Sequence, residues 1–359
     1  MPKPVWDVIV VGAGPAGSSV AYDLAKAGKR VLVLDKAEFP RDKPCGGGLT
    51  PKTLKRLRFD VRAVVERECT QMVVSDRMEK VAALPDVGVV CSMVQRPAFD
   101  TFLLDKAVEA GAVFQVAEVE GVVHDCDSVV VNTNGGGTER CRWLIAADGA
   151  KSGVRRLVHK RPVVRQAFAL EGKARLGEDF ATYFDFFVVS WGYGWVFPKG
   201  DHLNVGIGTF NRNVKISRKD LMAYCKAKLG HEELHDVVGH PLGIGPANGR
   251  WSVGRVLFAG DAAGTVEALM GEGIHNAVCT GQVAAKAVVG GGPAWWVRGR
   301  YWLGLRRHWL DVRSCRNLAL LFYRWPRVGY FILSRPAFLS RLARGFVRGW
   351  RLDRIVRGF

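Results

Sequence analysis

The first part of the chain combines apolar runs with a helical pattern. Residues 5–11 (VWDVIVV) form a largely apolar run of strand length, and the segment GAGPAGSSVAYDLAKAG that follows has apolar residues at helical spacing. A second apolar run, RVLVLD, ends at Asp35. A strand, a helix and a second buried strand together predict a βαβ unit at the start of the chain.

Shorter apolar stretches follow, and several of them alternate with polar residues. Within residues 51–95, QMVVS and VGVVCSMV are typical of antiparallel strands, and RPAFDTFLLDKAVEAG then has helical spacing up to Gly111. Three further strands are predicted in AVFQVAEV, SVVVNT and CRWLIAAD, and the alternation returns between residues 160 and 250 with a helix within 211–230. RVLFAGDAAG predicts another buried strand, and IHNAVCTGQVAAKAVV a helix.

These elements predict an α/β protein with two interleaved domains and an extension, which suits a chain of 359 residues at about 150 residues per domain. We assign residues 1–60, 96–158 and 251–292 to a nucleotide-binding domain. Residues 61–95 and 159–250 form an antiparallel-sheet substrate domain, and residues 293–359 form a basic helical region at the C-terminus.

Gly12, Gly14 and Gly17 give the pattern G-x-G-x-x-G directly after the first strand. The first glycine permits a tight turn, the second lets backbone approach a pyrophosphate, and the third lets helix and strand pack closely. Ala16 belongs to the same turn, and Asp35 at the end of the second strand is placed to accept hydrogen bonds from ribose hydroxyls. The start of the chain therefore predicts dinucleotide binding, with FAD and NAD both open at this point.

Two later turns favour FAD. Asp148 and Gly149 close one buried strand, and Asp261 follows another. A loop then leads to Gly271 and Gly273 at the start of a helix whose first residue is Ile274. A flavin needs an acid near its ribityl or phosphate oxygens and backbone amides facing its pyrimidine edge, where the helix dipole contributes up to about 2 kcal/mol.

The order of VGAGPAG, PCGGGL, RPAFD, ADGAKSGVRR, YGWVFPKG and GDAAG…GEGI resembles the FAD-dependent geranylgeranyl reductase family, which includes the digeranylgeranylglycerophospholipid reductases. This family lies within the glutathione-reductase-type flavoproteins, and the resemblance covers roughly residues 5–290. It implies a Rossmann-like FAD-binding domain of the aromatic-hydroxylase type, interleaved with the substrate domain. It also implies that Arg96 reaches the flavin side of the cofactor, and that the prenyl chain is faced by Tyr193, Trp195 and Phe197. The family pattern begins with proline where this chain has Ser190.

The function implied by the resemblance is reduction of isolated C=C bonds in a prenyl chain by hydride from reduced FAD. The substrate would be a prenyl lipid, a quinone side chain or a prenyl diphosphate, and the external reductant NAD(P)H or ferredoxin. Two alternatives remain open from the sequence: an FAD-dependent monooxygenase or halogenase of the same fold, and a flavin-bearing membrane adaptor without turnover.

Cys45 precedes Gly46, Gly47 and Gly48 where the chain leaves the ribose-binding strand. The glycines would let backbone come close to flavin or substrate. A free thiol with a pKa near about 8.5 is mostly protonated at neutral pH, so Cys45 could donate a proton on an apolar surface. The alternative is that a small polarizable side chain packs under the ring.

Positive charge is concentrated at the C-terminus. Residues 298–359 contain fifteen arginines and two acidic residues, which gives +13 of the total net charge of +18. Arginine interleaved with tryptophan, phenylalanine and leucine is typical of helices that lie on an anionic membrane surface. The alternative is a helical cap on the body of the protein. Neither a helix-turn-helix nor an RNA-binding pattern accompanies the charge, so we expect no nucleic acid partner.

Eight cysteines without a C-x-x-C pair, and an N-terminus without a leader segment, predict a cytoplasmic protein, peripheral on the inner face of the cell membrane. The same spacing argues against zinc and iron–sulfur sites. HEELH at residues 231–235 has the letters of a zinc-protease motif on a predicted helix, but the flavin motifs argue against a protease, and we expect no metal. The oligomeric state is open.

Overall fold

The computed structural model describes residues 6–84, 88–159, 164–177, 181–211, 213–246, 250–350 and 354–355. Val5, which the sequence places in the first strand, lies outside these ranges, as do residues 351–353 and 356–359 of the predicted basic region. Two compact units divide the chain. Unit 1 contains Met1–Arg41, Pro97–Arg165 and Gly243–Arg313, and unit 2 contains Asp42–Arg96, Gln166–Leu242 and Ser314–Phe359.

The strands, in chain order, are β1 (Trp6–Val11), β2 (Val31–Asp35), β3 (Gly48–Leu49), β4 (Val65–Cys69), β5 (Met72–Asp76), β6 (Glu79–Ala83), β7 (Cys91–Val94), β8 (Val113–Val116), β9 (Val119–His124), β10 (Val129–Thr133), β11 (Thr138–Ala146), β12 (Val164–Arg175), β13 (Thr182–Phe186), β14 (Gly192–Pro198), β15 (His202–Thr209), β16 (His235–Pro246), β17 (Ser252–Val253) and β18 (Val256–Phe258). The helices are α1 (Pro15–Lys26), α2 (Pro51–Leu54), α3 (Arg96–Glu109), α4 (Gly153–Val158), α5 (Arg218–Leu229), α6 (Ile274–Val289), α7 (Ala294–Arg324), α8 (Pro326–Leu333) and α9 (Pro336–Val347).

Unit 1 is built on a sheet of order β17-β18-β11-β1-β2-β8, to which β9 and β10 add an antiparallel extension through β11. Strand β1 lies between β11 and β2 and is parallel to both. The predicted βαβ unit is therefore present as β1, α1 and β2. Helices α1 and α6 approach closely at Gly281, where an added Cβ would lie only 2.5 Å from the carbonyl oxygen of Ala16. The α/β fold class predicted from the sequence is confirmed.

Unit 2 is built on a sheet of order β16-β12-β15-β14-β13-β5-β6, with a smaller sheet of β3, β7 and β4. The pairs β12/β15, β14/β15 and β13/β14 are antiparallel, whereas β13 and β5 are parallel. Helix α5 covers one face, where Val196, Val205 and Ile207 from the strands form a buried cluster with Leu221 and Tyr224 from the helix. The side chains of Tyr193, Trp195 and Phe197 occupy the alternate positions of β14 and therefore point to the other face.

Helix α5 begins at a capping box between Ser217 and Asp220 and ends at Gly230, whose φ of +83° is left-handed. This end corrects the predicted helix through HEELH. Residues 231–234 are irregular and His235 starts β16, so the two histidines do not share a helical face. No cluster of potential metal ligands occurs among the described residues.

The basic C-terminal region divides between the two units. The first part of α7 contributes Val297, Tyr301 and Leu305 to the core of unit 1. Its last turns belong to unit 2, where Phe322 packs edge-to-face against Phe186 with ring centroids 4.9 Å apart. No helix in the described ranges is both long enough and apolar enough to cross a membrane.

Candidate flavin site and substrate face

The glycine-rich turn of unit 1 requires its glycines. Gly12 has a φ of +97°, and a Cβ there would lie 2.9 Å from the Cα of Asp148. A Cβ at Gly17 would overlap the carbonyl oxygen of Gly12. Gly14 precedes α1 and has no side chain to cap it, so the first-turn amides of this helix can face a phosphate. Ala16 is buried in that first turn, and the turn fits the pyrophosphate of a dinucleotide.

Asp35 organises the same turn. Its Oδ2 accepts a hydrogen bond from the amide of Ala13 at 2.8 Å, and its Oδ1 accepts one from Ala37 at 3.0 Å. A carboxylate has about four lone-pair sites, so these two bonds leave acceptor capacity for ribose hydroxyls. The carboxylate therefore connects the end of β2 to the phosphate-facing loop.

Asp148 lies in the turn after β11, and both of its oxygens are engaged. Oδ1 accepts a hydrogen bond from Ser152 Oγ at 2.6 Å, and Oδ2 accepts one from the amide of Val154 at 3.0 Å. Burial raises the pKa of the Asp148 carboxyl, and these bonds oppose that shift. Ser152 is the N-cap of α4, and Asp148 holds Ser152 and the first turn of the helix in place. Gly149 beside Asp148 has a left-handed φ of +79°.

Arg155 on α4 is part of the motif ADGAKSGVRR, and in the structure its side chain holds a neighbouring turn. Its Nε donates to the carbonyl of Ala262 at 2.7 Å, and its guanidinium carbon lies 4.1 Å from the ring centroid of Phe258. Burial lowers the pKa of Arg155 to about 10. Because Ala262 follows Asp261 directly, this contact fixes the turn that the sequence assigns to the ribityl chain.

The loop before α6 has its own internal support. Gly271 has a φ of +72°, and Gly273 immediately precedes Ile274, the first residue of α6. The carboxylate of Glu267 holds this loop, since it accepts hydrogen bonds from three backbone amides at 2.6–3.1 Å, those of Leu269, Met270 and Glu272. Glu267 was not predicted from the sequence, where its position inside the glycine-rich loop is the available signal.

The other predicted residues lie in unit 2. Tyr193, Trp195 and Phe197 are on the sheet face opposite α5, which we call the substrate face. Trp195 pairs with Gly206 on β15, and Gly206 pairs with Glu171 on β12, so the three form one row across the sheet. The ring of Trp195 lies over Gly206, because a Cβ there would be 2.6 Å from Cη2 of the indole. Tyr193 and Phe197 flank Trp195 at centroid distances of 5.8 and 6.3 Å.

The turn of Cys45, Gly46 and Gly47 contacts this face directly. A Cβ at Gly46 would lie 2.7 Å from the ring of Phe197. Gly47 has a φ of +63°, and its amide donates to Cys45 Sγ at 3.4 Å. The fold therefore brings the turn of Cys45 and Gly46 against Trp195 and Phe197, from which it is distant in the sequence.

Two buried charged residues beside this turn were missed by the sequence analysis. Glu171 Oε1 accepts a hydrogen bond from the amide of Cys45 at 2.6 Å. Lys199 Nζ donates to the carbonyls of Gly46 at 2.5 Å and Val94 at 2.9 Å. Burial raises the pKa of Glu171 and lowers that of Lys199, while the attraction between opposite charges opposes both shifts. For Lys199, the sequence signal was a lysine that directly follows the apolar segment YGWVFP.

Asn204 connects the tryptophan to this polar group. The indole Nε1 of Trp195 donates to Asn204 Oδ1 at 2.7 Å, and Asn204 in turn hydrogen-bonds to Glu171. Arg96, the first residue of α3, is buried in unit 2 within electrostatic reach of Glu171. Its predicted contact with the flavin stays a prediction.

The chain is similar to known proteins in sequence and in fold. The FAD binding domain family matches residues 5–168, so the protein is an FAD-dependent flavoprotein. The chain is 32% identical to the menaquinone reductase of Mycobacterium tuberculosis, with 94% of this chain and 90% of the relative covered. It is also 32% identical to the geranylgeranyl diphosphate reductase of Rhodobacter capsulatus, over 79% of this chain and 75% of the relative.

The fold of a geranylgeranyl bacteriochlorophyll reductase-like protein from Thermoplasma acidophilum is similar, with a TM-score of 0.81 and 24% identity over 99% of this chain and 98% of that one. The chain belongs to the FAD-dependent geranylgeranyl reductase family, and the protein is an FAD-dependent oxidoreductase.

Proposed function

We propose that this protein saturates isolated C=C bonds in a geranylgeranyl or other polyprenyl chain, carried by a lipid, a quinone or a diphosphate. This proposal rests chiefly on the contact of the Cys45–Gly47 turn with the aromatic side chains of the substrate face. A prenyl chain offers no polar group at the bond to be reduced, so aromatic and aliphatic contact is the recognition available to it. Relatives named geranylgeranyl diphosphate reductase support the same substrate class.

The cofactor site fits FAD, which would be held by the turns at Gly12–Gly17, Asp35, Asp261 and Gly271–Ile274. Bound and reduced, FAD supplies the hydride, and its own reductant is proposed to be NAD(P)H or ferredoxin. Cys45 would supply the proton. A thiol carries no charge until it gives up its proton, whereas a second ionised carboxylate buried beside these aromatic side chains would carry a large desolvation cost.

Flavin reoxidation by the substrate tests this function. The protein loaded with FAD is photoreduced without oxygen, and a geranylgeranyl lipid is added. We expect the flavin absorbance to return and the lipid to gain two hydrogens for each bond reduced, as measured by mass spectrometry. A fully saturated lipid of the same headgroup is the control. A flavin that stays reduced with the alkene and reoxidises only with oxygen would instead favour the monooxygenase alternative.

We further propose that the C-terminal helices contact an anionic membrane surface. In unit 2 the apolar residues of α7 and α8 are not all buried, and the exposed ones are Leu320, Leu321, Trp325, Val328, Phe331 and Ile332. Arg324, Arg327 and Arg335 are exposed among them. Apolar side chains interspersed with arginines suit the interface of a bilayer with anionic headgroups.

Vesicle flotation tests the membrane proposal. The protein should float with phosphatidylserine-rich vesicles and less with phosphatidylcholine vesicles. The double change Trp325→Ser and Phe331→Ser should weaken binding about tenfold or more, given about 25 cal/mol for each Å² of apolar area withdrawn from water. Val123→Ser, at an exposed apolar position in β9, is the matched control. Equal flotation of both variants with anionic vesicles would contradict the proposal.

A further inference from the structure

The Cys45–Gly47 turn is held from two sides by charged side chains. Glu171 accepts the amide hydrogen of Cys45, and Lys199 donates to the carbonyl oxygen of Gly46. The amide of Gly47 points at the Cys45 sulfur, at 3.4 Å. Both backbone and side chain of Cys45 are therefore constrained within the turn.

A buried lysine is an unusual residue to find at this position if its only role is to hold the turn in place. Only 2% of Lys199 is exposed. A fully buried ammonium is costly unless charge compensates it, and two neutral carbonyl acceptors would be served as well by an uncharged donor. Its charge would interact favourably with the carboxylates of Glu171 and Glu66, and with Cys45 or Cys91 when either sulfur is ionised. The positive charge is thus placed where a negative charge on the Cys45 sulfur would interact with it.

We propose that Lys199 is a positioning residue for Cys45, which holds the turn and, together with the Gly47 amide, stabilises the sulfur after it has given up its proton. This inference rests on the proposed function and deepens it. In the proton half of the reaction the S–H bond of Cys45 breaks and a C–H bond forms on the substrate, which leaves a thiolate. The other alkene carbon receives the hydride from reduced flavin, so two electrons and two hydrogens are accounted for.

Glu171 orients the same turn but carries the opposite charge to Lys199. Its carboxylate orients the turn through the Cys45 amide, and the hydrogen bond from Asn204 orients the carboxylate. Its negative charge opposes an anion on the nearby sulfur. Removing the charge while keeping the acceptor oxygen should therefore leave the thiolate at least as stable.

The test measures how fast iodoacetamide modifies Cys45 in the FAD-loaded protein at neutral pH, in a Cys126→Ser background that removes an exposed thiol. Lys199→Gln keeps N–H donors for the two carbonyls but removes the charge. A tenfold loss of thiolate, about 1.4 kcal/mol, is partly offset by higher intrinsic nucleophilicity, so we expect alkylation to slow about 3- to 10-fold. A purely structural clip predicts an unchanged rate, or a faster one if the turn loosens.

Lys173→Gln is the matched control, because Lys173 lies two residues from Glu171 on β12 and pairs with Asp236 at 2.9 Å. It should alkylate at the parent rate. Glu171→Gln provides the second variant if Lys199→Gln does not fold, and it should react at least as fast as the parent. An unchanged or faster rate in folded Lys199→Gln, or a slower rate in Glu171→Gln, would overturn the inference.

Alkylation requires no alkene, so this experiment is separable from the proposed function. If the parent protein does not reduce prenyl chains but Lys199→Gln still slows alkylation, the electrostatic role stands and the substrate is wrong. If reduction occurs and alkylation is insensitive to Lys199, the proposed function stands and the role of Lys199 is refuted.

Discussion

The packing of Trp195 on Gly206 makes a sharp prediction about the substrate face. In Gly206→Ala the new methyl would lie 2.6 Å from Cη2 of the indole and overlap Cζ2, so the ring must move. Gly208→Ala is a matched control two residues away on the same strand and face. Its methyl would lie 3.5 Å from Cζ3 of the same ring, which is ordinary contact.

The two variants should differ in the sign of their effect. Overpacking costs about 1–3 kcal/mol, and losing the buried bond from Trp195 to Asn204 costs about 0.5–1.5 kcal/mol more. Alanine in a strand regains about 0.5–1 kcal/mol relative to glycine. We therefore expect Gly206→Ala to destabilise unit 2 by about 1–3 kcal/mol and Gly208→Ala to be neutral or slightly stabilising.

Thermal unfolding of the FAD-loaded protein provides the measurement. At about 2–4 °C for each kcal/mol, Gly206→Ala should lower the midpoint by several degrees. Prenyl reduction should fall with it, because the displaced indole no longer orients Asn204 and Glu171. A midpoint for Gly206→Ala equal to that of the parent, or an equal fall in Gly208→Ala, would refute the packing of the indole on this strand.

Three further outcomes follow from buried polar groups. Arg155→Leu should raise the dissociation constant for FAD about tenfold, measured by titration, because the turn holding Asp261 loses a charged hydrogen bond of about 1.5–3 kcal/mol; unchanged affinity would contradict this. Tyr224→Phe should lower the unfolding free energy by about 1–3 kcal/mol in denaturant titration, because the hydroxyl donates at 2.6 Å to Asp185, which is wholly buried. In the folded protein, alkylation at mildly alkaline pH should spare two thiols whose pKa burial raises to about 12 and about 11, Cys141 and Cys225; labelling them as fast as in urea would show that they are not buried.

Local patterns predicted the cofactor unit well, because its determinants are local. A continuous apolar strand, a turn that sterically needs Gly12 and Gly17, and a helix directly after it are all encoded between Trp6 and Lys26. The α/β class and the FAD-binding domain predicted from these patterns are confirmed by the fold and by the family match. Glu267 escaped detection because its role depends on a loop conformation in which three amides converge on one carboxylate.

The substrate face could be predicted only in part, because strand register decides it. Alternation along β14 put Tyr193, Trp195 and Phe197 on one face, but nothing in the sequence aligned Trp195 with Gly206 and Glu171. A shift of one residue in either pairing would have moved Glu171 to the face covered by α5. The polar group beside Cys45 is therefore a property of the assembled sheet.

The C-terminal helices show a similar ambiguity between two partners. The sequence pattern of arginine and aromatic residues fits both a lipid surface and the body of the protein. In unit 2 Phe322 and Tyr323 pack edge-to-face against Phe186 and Phe187, while Trp325, between α7 and α8, is exposed. Helical packing and the proposed membrane contact are thus compatible, because they use different side chains.

The arrangement around Cys45 also bears on why a thiol stands there. Glu171, whose carboxyl lies beside it, receives hydrogen bonds from the Cys45 amide and from Asn204, and both bonds require it as an acceptor. Burial nevertheless raises its pKa, so a second carboxyl on this face would gain still less from ionisation and would lack such donors. Under the proposed function a thiol would avoid that cost, because the side chain would become charged only when its proton had moved to the substrate. The proposed role of the buried ammonium of Lys199 is to stabilise the sulfur as an anion, and the alkylation experiment measures that stabilisation.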